Sequence, residues 1–335
     1  MKKKVLLVGG AGFIGHNLAI LLVKKKYDVF VLDNLEVNNL KFIKSEIKDK
    51  YKKNLYNFFI KERLRLLKKN KVTFKKFDVK NKKLLQKIVK NYNPDIVIHL
   101  AAVSHDGRSN KNPELAFDNS FNTLFNTLES IKFLKKIHFI FLSSSMVYGT
   151  FKKSIVAEKE PCNPIGIYGS LKLSAELLIK SYSNVFGVNY TIVRPSALYG
   201  ERCISNRVIQ IFLEKSFKGN EFFIKGDGKE KLDFTYINDF CDGIYKIIKN
   251  KKKASKQIFN LTYGKAKSLL SLKNLILKKF RSQKITHLER DKLMAIRGTL
   301  SINKARKLLN YKPKFHLSRG FEKYYKWYKD IYATK

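Results

Sequence analysis

The feature of this sequence that most restricts its fold lies near the N-terminus, where a short apolar run leads into closely spaced glycines. Val5–Val8 is apolar, and Gly9, Gly12 and Gly15 accompany the start of a helical pattern at Phe13. This order predicts a strand, a tight turn and a helix. Glycines let the backbone turn sharply and let a phosphate group approach the free N–H groups of the helix. The pattern favours a dinucleotide site, with a plain glycine turn as the alternative.

Apolar runs of strand length recur along the chain, separated by helical patterns. The further predicted strands lie at 29–32, 72–74, 96–98, 139–142 and 190–193, and the predicted helices include 84–92, 114–134 and 168–185. Strands that alternate with helices predict a parallel sheet covered on both faces. We therefore predict an α/β protein with a Rossmann-type, doubly wound parallel sheet.

The alternating pattern loosens after Pro195, which predicts a second, smaller domain towards the C-terminus. We assign 1–195, with about 234–263, to a dinucleotide-binding Rossmann domain. Residues 196–233 and 264–335 then form the smaller substrate-binding domain. The lysine-rich, largely helical stretch 38–70 is long for a connection and indicates an insertion. The sequence leaves the role of that insertion open.

The composition excludes some classes of protein. The formal charge is +42, but the lysines are spread over every segment, so we predict a solvated lysine coat and no nucleic-acid partner. No run of about 18 apolar residues occurs, so no membrane span is expected. The three cysteines are far apart and form no metal or disulfide pattern. They fit a reducing compartment, and we predict a cytoplasmic protein without a metal site.

Asp33 closes the second predicted strand, 18 residues beyond Gly15. This offset is close to that of the acid that binds the adenosine ribose of a dinucleotide. A carboxylate there accepts hydrogen bonds from both ribose hydroxyls and would repel a 2′-phosphate. Asn34 follows it instead of an arginine, so the sequence favours NAD over NADP.

Tyr168 and Lys172 lie four residues apart at the start of a predicted helix, and therefore on one face of it. An ammonium group close to a phenol favours the phenolate and lowers its pKa, which makes tyrosine a usable base at neutral pH. The pair therefore predicts proton transfer coupled to hydride transfer. Taken alone, an exposed helix pair is the simpler interpretation.

Several motifs in one order resemble the extended short-chain dehydrogenase/reductases, and within them the nucleotide-sugar epimerases and dehydratases. The motifs are Gly9–Gly15, Asp78-Val79, His99–Ala102, Ser143–Gly149, Tyr168-x-x-x-Lys172, Arg194-Pro195, Gly226–Gly228, Asp233–Asp239 and Asn303–Pro313. The resemblance covers nearly the whole chain. It implies a nucleotide-diphosphate sugar as the substrate.

The resemblance also implies roles for individual residues. The catalytic residues would be Ser144, Tyr168 and Lys172. The cofactor would be bound by Gly9, Gly12, Phe13, Ile14, Gly15, Asp33, Asn34, Asp78, Val79, Leu100, Ala101, Ala102, Asn119, Tyr168 and Lys172. The resemblance matches Ser109 and Arg297 to residues that bind the sugar nucleotide, and we predict His105, Ser145, Met146 and Arg207 beside them. Arg202 or a neighbouring lysine is the alternative to Arg207, and a loop histidine bonded to the backbone is the alternative interpretation of His105.

One departure from the family pattern narrows the reaction. Dehydratases of this family carry an Asp-Glu pair after the catalytic Ser/Thr, whereas this chain has Ser145 and Met146. Because methionine cannot transfer protons, we predict an NAD-dependent 4-epimerase, an isomerase that oxidises and re-reduces C4. The alternatives are a nucleotide-sugar dehydrogenase or reductase, a dehydratase of the same family, or a non-catalytic polyanion-binding protein.

Two other departures affect the predicted diphosphate site. Ala197 and Leu232 stand where the family usually has an asparagine and an arginine, so the nucleotide and the sugar stay open. The resemblance further implies a homodimer formed through two helices, at about 114–134 and 168–185. Their apolar residues are equally explained by packing on the sheet. These residues are Phe121, Leu124, Phe125, Leu177 and Leu178.

Overall fold

The structure is a computed structural model that describes residues 2–103, 106–134, 136–290 and 294–333. The strands are β1 (Lys4–Val8), β2 (Asp28–Asp33), β3 (Thr73–Lys76), β4 (Ile96–His99), β5 (His138–Leu142), β6 (Ile155–Val156), β7 (Asn189–Arg194), β8 (Leu198–Tyr199), β9 (Phe222–Lys225), β10 (Lys231–Leu232), β11 (Thr235–Tyr236), β12 (Gln257–Asn260), β13 (Lys267–Ser268), β14 (Ile285–Leu288) and β15 (Thr299–Leu300). Seven of them form one parallel sheet in the order β12-β7-β5-β4-β1-β2-β3. The predicted Rossmann-type sheet is thereby confirmed.

Helices cover both faces of this sheet. They are α1 (Phe13–Lys24), α2 (Leu40–Glu46), α3 (Lys50–Lys69), α4 (Lys82–Tyr92), α5 (Asp106–Lys111), α6 (Pro113–Phe117), α7 (Thr123–Ile131), α8 (Ile167–Phe186), α9 (Val208–Phe217), α10 (Ile237–Lys249), α11 (Lys251–Ala254), α12 (Leu269–Leu277), α13 (Asn303–Leu309) and α14 (Leu317–Ala333). A π-helix spans Asp118–Asn122 and a 3₁₀ helix spans Ser145–Tyr148.

The alternation of side chains along β1 shows why both faces must be covered. Val5 and Leu7 belong to the core shared with α1, α3 and α10, whereas Leu6 and Val8 belong to the core beneath α4, α7 and α8. Successive strand residues point to opposite faces, so an all-apolar strand needs helices on both. The carboxyl ends of the central strands meet at one edge, where ligands bind in such sheets.

The insertion at 38–70 forms α2 and α3 and packs into the core. The Asp49 carboxylate caps α3 by accepting a hydrogen bond from the backbone N–H of Lys52 at 2.6 Å. Phe59, on the buried face of α3, lies 4.8 Å from the ring of Trp327 in α14. The insertion therefore connects the sheet to the C-terminal part of the chain.

The helix predicted at 114–134 is present as a continuous helical stretch from Pro113 to Ile131, but a π-helix separates α6 from α7 within it. Within the π-helix, the Asn119 side chain donates to the carbonyl of Leu115 at 3.1 Å, and Thr123 donates to the carbonyl of Asn119 at 3.1 Å. Side chains that bond to nearby backbone in this way compete with regular helical pairing. A π-turn at a helix is frequent near functional sites.

Candidate active site

The glycine turn brings three strand ends into close contact. Gly9 has a φ of +79°, and a Cβ atom there would lie 2.6 Å from the backbone nitrogen of Ala101, just after β4. A Cβ on Gly15 would lie 2.5 Å from the Cα of Gly10. Gly12 is the N-cap of α1, so the free N–H groups of that helix face the turn. The turn therefore requires glycine at these two positions, because a side chain would collide with the neighbouring backbone.

We expect Gly9→Ala to weaken NAD binding by about tenfold or more, because a misfit of about 1.4 kcal/mol already changes Kd tenfold. Gly219→Ala is the matched control, since Gly219 also has a positive φ, +67°, but has open space around its Cα. Titration of the apoprotein with NAD measures both. Equal affinities for the two variants would contradict the close approach at Gly9.

The Asp33 carboxylate lies at the end of β2 and is held by the backbone. Its Oδ2 accepts from the N–H of Ala11 at 2.9 Å, and its Oδ1 accepts from the N–H of Leu35 at 2.8 Å. Burial raises the pKa of Asp33, and these two bonds act in the opposite direction. Each oxygen keeps lone pairs for a further donor, so the carboxylate can accept hydrogen bonds from a ligand in addition to these two.

A cleft opens over this turn. Twelve predicted cofactor residues line it: Gly9, Gly12, Phe13, Ile14, Gly15, Asp33, Asn34, Val79, Leu100, Ala101, Ala102 and Asn119. Sequence reasoning missed Leu32, Val37, Asn38, Phe77, Thr123, Leu198 and Ser205, which also line it. The other three predicted cofactor residues, Asp78, Tyr168 and Lys172, are not among the lining residues, and the Asp78 carboxylate lies 3.7 Å from the Lys80 ammonium.

The Tyr168–Lys172 pair lies at the start of α8, and the interpretation as an exposed pair is wrong. Lys172 is only 6% exposed, and its Nζ donates to the carbonyl of Leu142 at 2.6 Å. The same ammonium lies 5.9 Å from the centre of the Tyr168 ring. Burial lowers the pKa of Lys172 to about 7, with Glu176 acting in the opposite direction. The charge beside Tyr168 therefore changes with pH near neutrality.

A buried ion pair fixes α8 against the sheet one turn beyond Lys172. The Glu176 carboxylate accepts from the Arg194 guanidinium at 2.6 and 2.9 Å, and Ser143 donates to it at 2.5 Å. Arg194 ends β7 and Ser143 directly follows β5. This network orients the helix that carries Tyr168.

The turn that carries Ser144 packs closely on the same helix. Ser144 caps the 3₁₀ helix by accepting from the N–H of Met146 at 3.2 Å. Gly169 allows the contact, because a Cβ there would lie 2.8 Å from the carbonyl oxygen of Met146. Ser144 and Tyr168 therefore belong to two segments held in contact, as the predicted roles require.

A second cavity adjoins the cofactor cleft. Arg207 and Leu198 line both spaces, so the two share a wall there. Arg297 lines the second cavity, with its Nη1 4.0 Å from the sulfur of Met146. Ala197 and Leu232, which depart from the family pattern, also line it. The two residues that depart from the family pattern therefore both line the second cavity, where the sugar nucleotide is expected.

Ser109 and Ser145, which were also predicted to bind the substrate, do not line the second cavity. Ser109, in α5, and Ser145 are buried, and the N–H of Ser145 donates to the carbonyl of Pro195 at 2.9 Å. His105 lies outside the described residues.

Comparison with known proteins agrees with this geometry. A family model described as the NAD dependent epimerase/dehydratase family matches residues 5–262. The chain belongs to this family. Its relatives include the putative UDP-glucose 4-epimerase of Methanocaldococcus jannaschii, which is 32% identical over 98% of this chain and 100% of its own length. The UDP-glucuronate 4-epimerase of Thermodesulfobacterium geofontis is 28% identical over 97% and 96%.

A solved structure superposes on nearly the whole chain. UDP-glucuronic acid 4-epimerase from Bacillus cereus, in complex with UDP-glucuronic acid and NAD, has a TM-score of 0.88 at 27% identity, covering 98% of this chain and 99% of its own. NAD is the cofactor of this family, and the cleft fits it. The glycine turn and Asp33 line the same cleft, where they would hold the pyrophosphate and the adenosine ribose of NAD.

Among the residues that the structure describes, no helix combines the length and the apolar character needed to cross a membrane.

Proposed function

We propose that this protein is an NAD-dependent nucleotide-sugar 4-epimerase. The observation that carries the proposal is the pairing of Lys172 with Tyr168 beside a turn in which methionine replaces an acid. The pair supports removal of a hydroxyl proton, which oxidation of a sugar carbon requires. Met146 has no proton to transfer, so elimination of water has no acid or base at that position. Both 4-epimerase relatives and the superposed structure agree with this choice.

The roles of the side chains follow from chemistry. Tyr168 removes the proton of the C4 hydroxyl, and the Lys172 ammonium favours the phenolate that does so. Ser144 donates a hydrogen bond to the C4 oxygen and holds it close to Tyr168. Bound NAD would supply reversible hydride exchange with C4, and the 4-keto sugar would have to turn over in the site so that its opposite face receives the hydride. Tyr168 then gives its proton back to the C4 oxygen.

The second cavity is proposed to hold the sugar nucleotide. Arg207 and Arg297 supply positive charge for a diphosphate, and apolar side chains such as Phe234 supply a surface for the base. Because the family arginine is replaced by Leu232, two arginines from other segments take over the charge. The division into a cofactor domain (1–195 and about 234–263) and a sugar-nucleotide domain (196–233 and 264–335) is proposed on the same grounds.

A panel of UDP-, GDP-, CDP- and dTDP-sugars tests this function. We expect NMR to show a C4-inverted product with at least one of them, without NADH accumulating in solution. Net NADH release would instead indicate a dehydrogenase. If no member of the panel is inverted at C4, the epimerase proposal is contradicted.

We also propose a homodimer formed through α7 and α8. Leu124 of α7 is buried in the core, but Phe125 on the same helix is exposed, as are Leu177, Val185 and Phe133 on or near this face. Leu177 and Val185 are 57% and 71% exposed, which is costly for apolar side chains in water. A second copy of this face would cover them.

We expect Leu177→Glu to convert a dimer into a monomer, because it places charge at the centre of the proposed contact. Phe223→Glu is the control, since Phe223 in β9 is also exposed but lies in the C-terminal part of the chain. Light scattering reports the mass, with 39.0 kDa expected for one chain. A wild-type mass of one chain would contradict the dimer.

A further inference from the structure

Arg63 is an unusual residue of the insertion, because its long basic side chain is completely buried. It is 0% exposed and lies on the face of α3 that packs into the core. Its guanidinium donates to backbone carbonyls: Nε to Arg202 at 3.0 Å, Nη2 to the same oxygen, and Nη1 to Asn38 at 3.4 Å. Burial lowers the pKa of Arg63 to about 10. A buried guanidinium is costly, so these bonds call for an explanation.

Both carbonyls that Arg63 binds belong to residues in the left-handed region. Asn38 has a φ of +49° and Arg202 a φ of +63°, and neither is glycine. Such a conformation is unfavourable for residues with a Cβ atom and persists only where the surroundings hold it. The guanidinium of Arg63 donates hydrogen bonds to both residues at once. It therefore stabilises two otherwise unfavourable turns.

These two turns lie in segments that line the cofactor cleft. Asp33, Asn34 and Asn38 line it from the segment after β2, and Ser205 and Arg207 line it from the segment that contains Arg202. Arg108 of α5 also donates to the Asn38 side chain, at 3.2 Å. The segment after β2 is thus held from two directions.

A second chain of hydrogen bonds links Arg202 to the glycine turn. The Arg202 Nε donates to His16 Nε2 at 3.1 Å, and His16 Nδ1 lies 2.9 Å from the carbonyl of Gly12. Burial lowers the pKa of His16 well below its ordinary value, and Arg63 and Arg202 lower it further. A neutral imidazole accepts at Nε2 and donates from Nδ1, which is the tautomer this chain of bonds needs.

We propose that Arg63 is a positioning residue for NAD, because it holds two segments that line the cofactor cleft in the geometry that retains the cofactor. This proposal gives the insertion a role, because α3 supplies the side chain that holds these two segments in place. An enzyme that oxidises and reduces the same sugar benefits, because the cofactor must stay bound between the two steps. The proposal concerns NAD and does not depend on which sugar is turned over.

The test compares Arg63→Met with Arg65→Met in the full-length protein. Arg65 lies one half-turn away on α3, but its side chain is 60% exposed and pairs with Glu62 on the surface. Both variants lose one arginine from the same helix. We measure NAD dissociation from the loaded protein by dilution into an NAD-free buffer, and we expect it to be at least about tenfold faster for Arg63→Met, which corresponds to about 1.4 kcal/mol. Arg65→Met should match the wild type.

Arg63→Lys separates the effect of the planar guanidinium from the effect of the positive charge. It also provides the test if Arg63→Met does not fold. Lysine keeps a positive charge but cannot reach both carbonyls with a planar group. We expect it to release NAD faster than the wild type and to show faster amide hydrogen exchange at 33–38 and 201–207. Wild-type NAD release by Arg63→Lys, or by a folded Arg63→Met, would overturn the proposal. Since NAD release needs no sugar substrate, failure of the epimerase proposal would be seen separately in the sugar panel.

Discussion

Replacing Tyr168 with phenylalanine is expected to lower kcat by about a thousandfold, because positioned acid–base groups contribute about 10²–10⁴-fold. The variant keeps the ring that lies beside the Lys172 ammonium and removes only the hydroxyl that exchanges the proton. NAD content should therefore stay at the wild-type level. Turnover of the sugar nucleotide found in the panel, together with the absorbance of released NAD, measures both quantities.

Tyr182→Phe is the matched control for this experiment. Tyr182 lies on the same helix, and its hydroxyl donates to Glu129 at 2.8 Å, remote from the cofactor turn. We expect its kcat to stay within about threefold of the wild type. If Tyr168→Phe keeps most of its activity while NAD is bound, another group removes the proton and the assignment of Tyr168 is wrong.

Lys172→Met has the second large expected effect, and it acts on stability as well as on activity. We expect kcat to fall by about a hundredfold or more, since the charge that favours the phenolate is lost. The folded protein should nevertheless become more stable at pH 7. A lysine whose pKa falls from 10.5 to about 7 disfavours the folded state by about 4 kcal/mol at that pH. Loss of the bond to Leu142 offsets part of this, so we expect a gain of about 2 kcal/mol.

The sign of the pH dependence follows from proton binding. The folded state holds fewer protons than the unfolded state between pH 7 and 10.5, so the penalty is complete below about pH 7 and fades as the pH rises towards 10.5. The stability difference between Lys172→Met and the wild type should therefore shrink from pH 7 to pH 10. Urea unfolding at several pH values measures it. Lys180→Met, on the same helix, controls for removing a lysine, and a constant difference would contradict the buried charge.

The sequence predicted the fold best where local pattern and tertiary packing agree. The run Val5–Val8, the glycine turn and the helix at Phe13 appear where they were predicted, and the helix predicted at 84–92 is α4 (Lys82–Tyr92). The pattern did not predict α14, although Phe321, Tyr324 and Tyr328 form its buried face. Lysines and aromatics alternate closely in that stretch and obscure the apolar stripe, which becomes evident only when the helix packs on α9.

The site was predictable where a residue follows a strand, and less so where it comes from a loop. Asp33 and Ala101 end or follow strands and were found by position. Asn38 and Ser205 line the cleft from irregular segments, whose path depends on contacts distant in sequence. The pKa of Lys172 likewise depends on burial, which spacing alone does not reveal.

Arg63 did leave a signal in the sequence. Tyr56, Phe59, Arg63 and Leu67 are spaced three or four residues apart, so a basic residue occupies the apolar stripe of an amphipathic helix. Among so many lysines and arginines this single position does not stand out. The proposed role rests on the two carbonyls that it binds, which belong to two segments that line the cleft.

The central claim is that the hydride taken from C4 returns to C4 within one bound cofactor. The most direct test uses the sugar nucleotide found in the panel, labelled with deuterium at C4, and follows the label by NMR. The account predicts a C4-inverted product that keeps its deuterium at C4. Transfer of the label to C6 would indicate a dehydratase, and loss of the label to water or to free NADH would likewise contradict the proposed mechanism.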